Sequence, residues 1–207
     1  MKHLIFIVFL AALTGCAPKH QNLDAFYTHQ PRSIAVVPVV NESTEVTANN
    51  VFAATISKPL SERGYYVFPV LITDLILRDF GLTEGGHIQQ LPPQQFYDIF
   101  GADSVLFITI KDWSTKYLVI HASVTVEMEY VLKDTKTGLE IWRNNQTYVH
   151  SSGGGDPIAA TISAAITALF LDYRPLAQEA NRLAVLPPKG IPAGPYHPEY
   201  QQDKAKF

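Results

Sequence analysis

Cysteine occurs once in the 207 residues, at Cys16. No intramolecular disulfide can form, so burial and hydrogen bonding have to hold the fold together. Lysine and arginine total 16 against 19 acidic residues, a net charge of −3, and the basic residues do not cluster. No nucleic-acid partner is expected from such a balance. No apolar run approaches the roughly 20 residues of a permanent membrane helix. The chain also lacks recognisable catalytic patterns. His87, His121 and His150 have no paired spacing for zinc. The run Ser151-Ser152-Gly153-Gly154-Gly155 precedes Asp156 and Pro157, without the Lys-Ser/Thr of a phosphate-binding loop. No nucleophile elbow or Cys–His pairing appears. The expectation is a protein without metal, cofactor or catalytic residues. His121, Glu127 and Glu129 fall on one strand face, which suits either a cation or solvent.

The lone cysteine has a context. Lys2 and His3 precede LIFIVFLAAL, residues 4–13, which has the length of a signal-peptide apolar region. Thr14 and Gly15 then lead to Cys16. Leu13-Thr14-Gly15-Cys16 resembles the bacterial lipobox. The resemblance implies cleavage before Cys16 and lipidation of that residue, and several acyl chains on one residue anchor stably. An ordinary secreted protein with a chance cysteine is the competing reading. Ala17 stands where aspartate favours inner-membrane retention, so the resemblance implies an outer-membrane anchor facing the periplasm.

The chain divides by pattern. Residues 1–15 read as signal peptide and 16–31 as a lipidated tether without periodicity. Fifteen extended residues reach roughly 50 Å. Residues 32–186 read as one folded domain. Ser33 to Val40 is a valine-rich run suited to a strand buried on both faces, although Pro38 removes a ladder donor. Apolar spacing predicts a helix from Asn49 or Asn50 to Arg63, bent or restarted at Pro59. A strand follows at 65–69, then a helix at 71–80, a loop at 82–91 and a helix from Pro92-Pro93 to Phe100. Ser104 to Ile110, His121 to Leu132 and Leu139 to Val149 read as strands, the second alternating with period 2. A helix is expected at 175–186. Residues 187–207 carry prolines and no core pattern, and read as a flexible tail. The order implies an α/β (α+β) domain with a mixed, partly antiparallel sheet flanked by helices.

Several stretches match a known domain. Ile34-Ala-Val-Val-Pro-Val-Val-Asn41, Leu60 to Gly64 before Val67, Phe100-Gly-Ala-Asp103 leading into Val105-Leu106, and Leu132 to Gly138 with Ile141-Trp142 carry the likeness. Residues 31 to 185 resemble the periplasmic domain shared by the amino-terminal part of TolB, CsgG and LpoB. Together with the lipobox, they also resemble a family of bacterial lipoproteins of unknown function found in neisserial and other proteobacterial genomes. Neither the TolB propeller nor the pore-forming hairpins of CsgG have counterparts in the sequence.

From Pro157 to Leu171 the chain carries no charge, where a surface helix would carry several. Ile158, Ala159, Ile162, Ser163, Ile166, Thr167 and Phe170 are the candidate partner-binding residues. The partner would be a second copy or another envelope lipoprotein. Trp113, Tyr117, Trp142 and Tyr148 suit sheet packing, or a partner surface. The leading expectation is a membrane-anchored, non-catalytic accessory or assembly factor. The alternative is a small-molecule or peptidoglycan-fragment binder. An envelope hydrolase has no residues to support it.

Overall fold

The computed structural model describes residues 22–118, 121–152 and 173–207. The chain enters through helix α1 (Asp24–His29) and strand β1 (Ser33–Val36). Strand β2 (Val40–Asn41), helix α2 (Ala48–Glu62), strand β3 (Tyr66–Val67) and helix α3 (Val70–Asp79) follow. Helices α4 (Gly85–Gln90) and α5 (Pro93–Phe100) precede three long strands, β4 (Ser104–Leu118), β5 (His121–Asp134) and β6 (Glu140–Ser152). Helix α6 (Arg174–Val185) comes next. The sheet runs β3-β1-β4-β5-β6, with β2 also on β4. β1 pairs in parallel with β3 and β4, whereas β4, β5 and β6 are antiparallel. The sheet is therefore mixed, in a single α/β domain.

Two cores explain the sequence pattern. On one face Ile34, Val36, Leu106, Ile108 and the even residues Val124 to Leu132 pack beneath α2 and α6. On the other, Val37, Val105 and Phe107 meet Leu77, Ile88 and Phe96 from α3, α4 and α5. β1 and the first half of β4 are thus covered on both sides, which is why they read as unbroken apolar runs. β5 alternates because most of its second face stays wet. Pro38 sits in the gap between β1 and β2, where no ladder donor is needed. Pro59 does not divide α2, which runs through it.

β4 continues past the expected end at Ile110. The register slips at Lys111, so that Ile110 faces Met128 but Asp112 faces Glu127. This bulge inverts the parity. Leu106, Ile108 and Ile110 point inward before it, and Trp113 does so after it. A period-2 reading stops there. The expected loop at 82–91 also holds the short helix α4.

Two boundaries need correction. The tether does not extend to residue 31: α1 forms within it, with Leu23 and Phe26 buried in the main core. Nor is 187–207 a flexible tail. Ile191 is fully buried and Phe207 nearly so. Residues 186–207 form a strap across the end of α2. Tyr65 donates to the Pro192 carbonyl at 2.5 Å, Trp142 Nε1 donates to the Gly190 carbonyl at 2.9 Å, and the Gly194 amide donates to the Arg63 carbonyl at 2.7 Å. Gly194 lies so close to the backbone that a Cβ there would stand 2.4 Å from the Gly64 oxygen. The prolines limit the strap's unfolded freedom, and its partners Arg63 and Tyr65 lie more than a hundred residues away in sequence.

Candidate functional site

Three clefts open among the described residues. The apolar one, about 570 Å³, lies between α2 and α3 and includes Pro38, Val39, Ala53, Ala54, Val70 and Leu71. α3 begins directly after Pro69 and keeps only Thr73 and Leu77 buried. Its outer side exposes Leu71 (70%), Ile72, Leu75 and, just beyond, Phe80. Arg78 Nε donates to Asp74 at 2.9 Å, and exposed Asp79 leaves the helix with a net charge of −1. Exposed apolar residues clustered in this way mark a contact surface more often than scattered ones do.

The second cleft is polar, about 580 Å³, and brings together α1, the β5–β6 turn and the strap. His29 Nδ1 lies 3.2 Å from Asp134 Oδ2. Asp134 Oδ1 accepts from the Lys136 amide and from the Thr137 amide and hydroxyl. Burial disfavours its charge, but the Thr137 donors and His29 outweigh burial and hold the carboxyl below its usual range. Asp103 is similarly engaged, accepting from the amides of Arg32 and Ser33 and from the Ser33 hydroxyl. Gln30, at φ 44°, turns the chain out of α1. The carboxylates here hold backbone in place, and Arg32 and Lys136 supply positive charge.

The third cleft, about 540 Å³, lies at the β4 bulge between Glu42, Glu45, Lys111, Asp112, Trp113 and Tyr173. Lys111 donates to Glu42 at 3.1 Å and lies 3.6 Å from Glu129. The hydrogen bond to Glu42 leads the causes that raise the Lys111 pKa, burial opposing. Arg143 also bridges Glu129 and Glu140. Two basic residues therefore engage the Glu129 carboxylate of the Glu127–Glu129 row. No group of three or more metal-type ligands occurs among the described residues.

A buried polar knot sits beneath the strap. Arg63 Nη2 donates to Asp203 Oδ2 at 2.7 Å, and its Nε and Nη2 also reach the Ile191 carbonyl. The Ala193 amide donates to the same Asp203 oxygen at 2.7 Å. Burial raises the Tyr65 phenol well above its ordinary pKa, with Arg63 opposing, so it stays a donor. Two buried oxygens here, Tyr27 Oη and Asp203 Oδ1, have no protein partner. No sequence pattern pointed to this knot. A charged residue inside a proline-rich stretch gives no periodic signal.

The sequence-derived candidates fare unevenly. Cys16 and the charge-free segment with Ile158, Ala159, Ile162, Ser163, Ile166, Thr167 and Phe170 lie outside the described residues. Trp113 and Trp142 are buried. Trp113 packs edge-on against Phe52 and Tyr173. These two are packing residues rather than a partner surface, and Tyr148 is half-buried. The exposed side of α3 was missed, since LITDLILRDF was read only as a helix. Its excess of apolar residues over what one buried face needs was the available signal.

Comparison with known proteins agrees with this architecture. A family model described as "Putative lipoprotein GNA1162-like" matches residues 22–182. A lipoprotein of Neisseria meningitidis serogroup B is 33% identical over 172 residues, covering 80% of each chain. The crystal structure of lipoprotein GNA1162 from Neisseria meningitidis superposes with a TM-score of 0.57 at 31% identity, covering 69% of this chain and 99% of that one. The LpoB C-terminal domain from Salmonella enterica aligns more loosely, with a TM-score of 0.40 at 16% identity over 56% of this chain and 82% of that one. With most of the described domain inside the matched region, the chain belongs to the GNA1162-like lipoprotein family.

Proposed function

We propose that this lipoprotein is anchored through lipidated Cys16 in the outer membrane, faces the periplasm, and docks another cell-envelope protein as a non-catalytic accessory or assembly factor. The observation that carries the reading is the apolar outer side of α3, where Leu71, Ile72, Leu75 and Phe80 stay exposed beside an apolar groove. With Asp74 paired to Arg78, exposed Asp79 leaves that side with a single net negative charge among its apolar residues, which favours a mainly apolar strand or helix of a partner over an acidic one. The charge-free residues 157–171 are proposed as a second contact, toward another copy or another envelope lipoprotein. Cys16→Ala should leave an unprocessed precursor that no longer fractionates with the outer membrane. A photocrosslinker at position 71 in the intact envelope should capture one dominant protein, and a Leu75→Glu change should abolish that capture without loss of folding. Normal processing of the Cys16 variant, or capture unaffected by Leu75→Glu, would overturn the respective half of the reading.

A second reading rests on the polar cleft, where Arg32 and Lys136 stand beside hydrogen-bonding groups. It would bind a peptidoglycan fragment or another small anion. A rise in melting temperature with muropeptides, absent in Arg32→Ala, would support it, because a ligand of the folded state alone stabilises that state.

A further inference from the structure

The strap and α1 hold each other. Tyr200 donates to Gln30 Oε1 at 2.8 Å, and Gln201 Nε2 donates to the same oxygen at 2.9 Å. The Lys204 ammonium sits 5.2 Å above the Tyr27 ring. α1 has six residues, far too few to persist as an isolated helix in water. Its position therefore depends on docking. The strap, in contrast, is fixed to the body through Arg63, Tyr65 and Trp142.

This arrangement sets a length. Leu23 is already part of the core, so only seven residue steps separate it from Cys16. They span at most about 24 Å. If α1 undocked, the steps from Cys16 to the start of β1 at Ser33 would span roughly 58 Å. We propose that α1 and the strap form a clasp that holds the domain close against the membrane, with the α1 and strap end toward the lipid surface. The proposal rests on the reading that Cys16 carries the lipid. Opening the clasp more than doubles the distance at which the domain can meet a partner. α1 is also held to the body by Phe26 in the core and by His29 Nδ1, 3.2 Å from Asp134 Oδ2, so opening has to break those contacts as well as the joint with the strap. Among the described residues three buried side-chain oxygens or nitrogens lack a partner, and Tyr27 Oη and Asp203 Oδ1 are two of them. Buried oxygens left unpaired favour separation and hydration of the surfaces that enclose them.

The experiment uses the lipidated full chain in nanodiscs with acceptor-labelled headgroups. A donor dye is placed at Lys58→Cys, which is exposed on α2; a lipidated Cys16 has no free thiol to compete. The test variant combines Gln30→Ala with Lys204→Ala, which loosens the joint and leaves the Arg63–Asp203 pair intact. Energy transfer should fall in the variant as the permitted reach grows from about 24 Å toward 58 Å. Amide exchange across residues 24–29 should accelerate by about tenfold or more, with exchange in β4 unchanged. Faster exchange in α1 with unchanged transfer would overturn the role of the clasp in setting height. Unchanged exchange in α1 would show that the strap does not hold it. Failure of the unsubstituted protein to stay with the discs would sink the lipid-anchor reading instead, and the exchange measurement would still decide whether the clasp exists.

Discussion

Replacing Asp203 with alanine probes the strap at its centre. The carboxylate is fully buried and accepts from Arg63 Nη2 and from the Ala193 amide, each at 2.7 Å. Alanine removes both bonds and leaves a guanidinium whose side chain is only 7% exposed. Removing one partner of a buried ion pair costs about 3–5 kcal/mol, because the other charge stays desolvated. The lower end applies to this site. Nε and Nη2 keep donating to the Ile191 carbonyl, and the substitution also removes Asp203 Oδ1, a buried oxygen without a partner. About 3 kcal/mol is therefore expected. With a urea slope of about 2.5 kcal/mol per molar, the unfolding midpoint should fall by about 1.2 M. Tryptophan fluorescence suits the assay, since Trp142 donates directly to the strap at Gly190 while Trp113 lies elsewhere in the core. Replacing the pair by Arg63→Met with Asp203→Leu should recover most of the loss, because no charge is then left unpaired. A midpoint shift below about 0.4 M for the single variant, on the same slope, would refute the claim that this pair fastens the strap.

Asn181 is buried and donates to the Phe52 carbonyl and Thr55 hydroxyl while accepting from Tyr130. Asn181→Ala strands those groups and should cost about 2–4 kcal/mol, read as a lowered melting temperature. Gly64 and Gly101 both have positive φ, at 83° and 67°, but only Gly64 faces an obstruction, with His197 N 2.4 Å from its would-be Cβ. Gly101→Ala should cost about 1–2 kcal/mol and Gly64→Ala clearly more, with faster proteolysis of the strap; equal losses would contradict the packing described. For Asp134 the folded carboxyl has a lowered pKa, so its ionisation stabilises the fold above the unfolded value of about 3.9. That contribution disappears as pH falls through the folded value. The midpoint difference between the protein and Asp134→Asn should thus be present at pH 7 and shrink below about pH 4. A difference that stays constant down to pH 2 would contradict it.

What was legible in the chain was local. The helix of LITDLILRDF, the period-2 alternation of β5 and the turn from Lys133 to Gly138 each follow from a few neighbouring residues. Their order was enough to imply a mixed sheet. Leu13 to Cys16 is equally local, and the lipoprotein expectation it raises agrees with the description of the family that residues 22–182 match. What the sequence could not decide was long-range. Asp203 is an ordinary exposed acid by pattern until Arg63, 140 residues earlier, closes over it. Leu23 and Phe26 gain a core only because α1 packs against β6, more than a hundred residues later in the chain. One bulge at Lys111 inverted the parity of β4 and hid its second half. Hydrophobic periodicity records which face an element buries, but not whether a distant segment supplies the cover. That is why the tether and the tail looked free as sequence, and why the tertiary structure joins them.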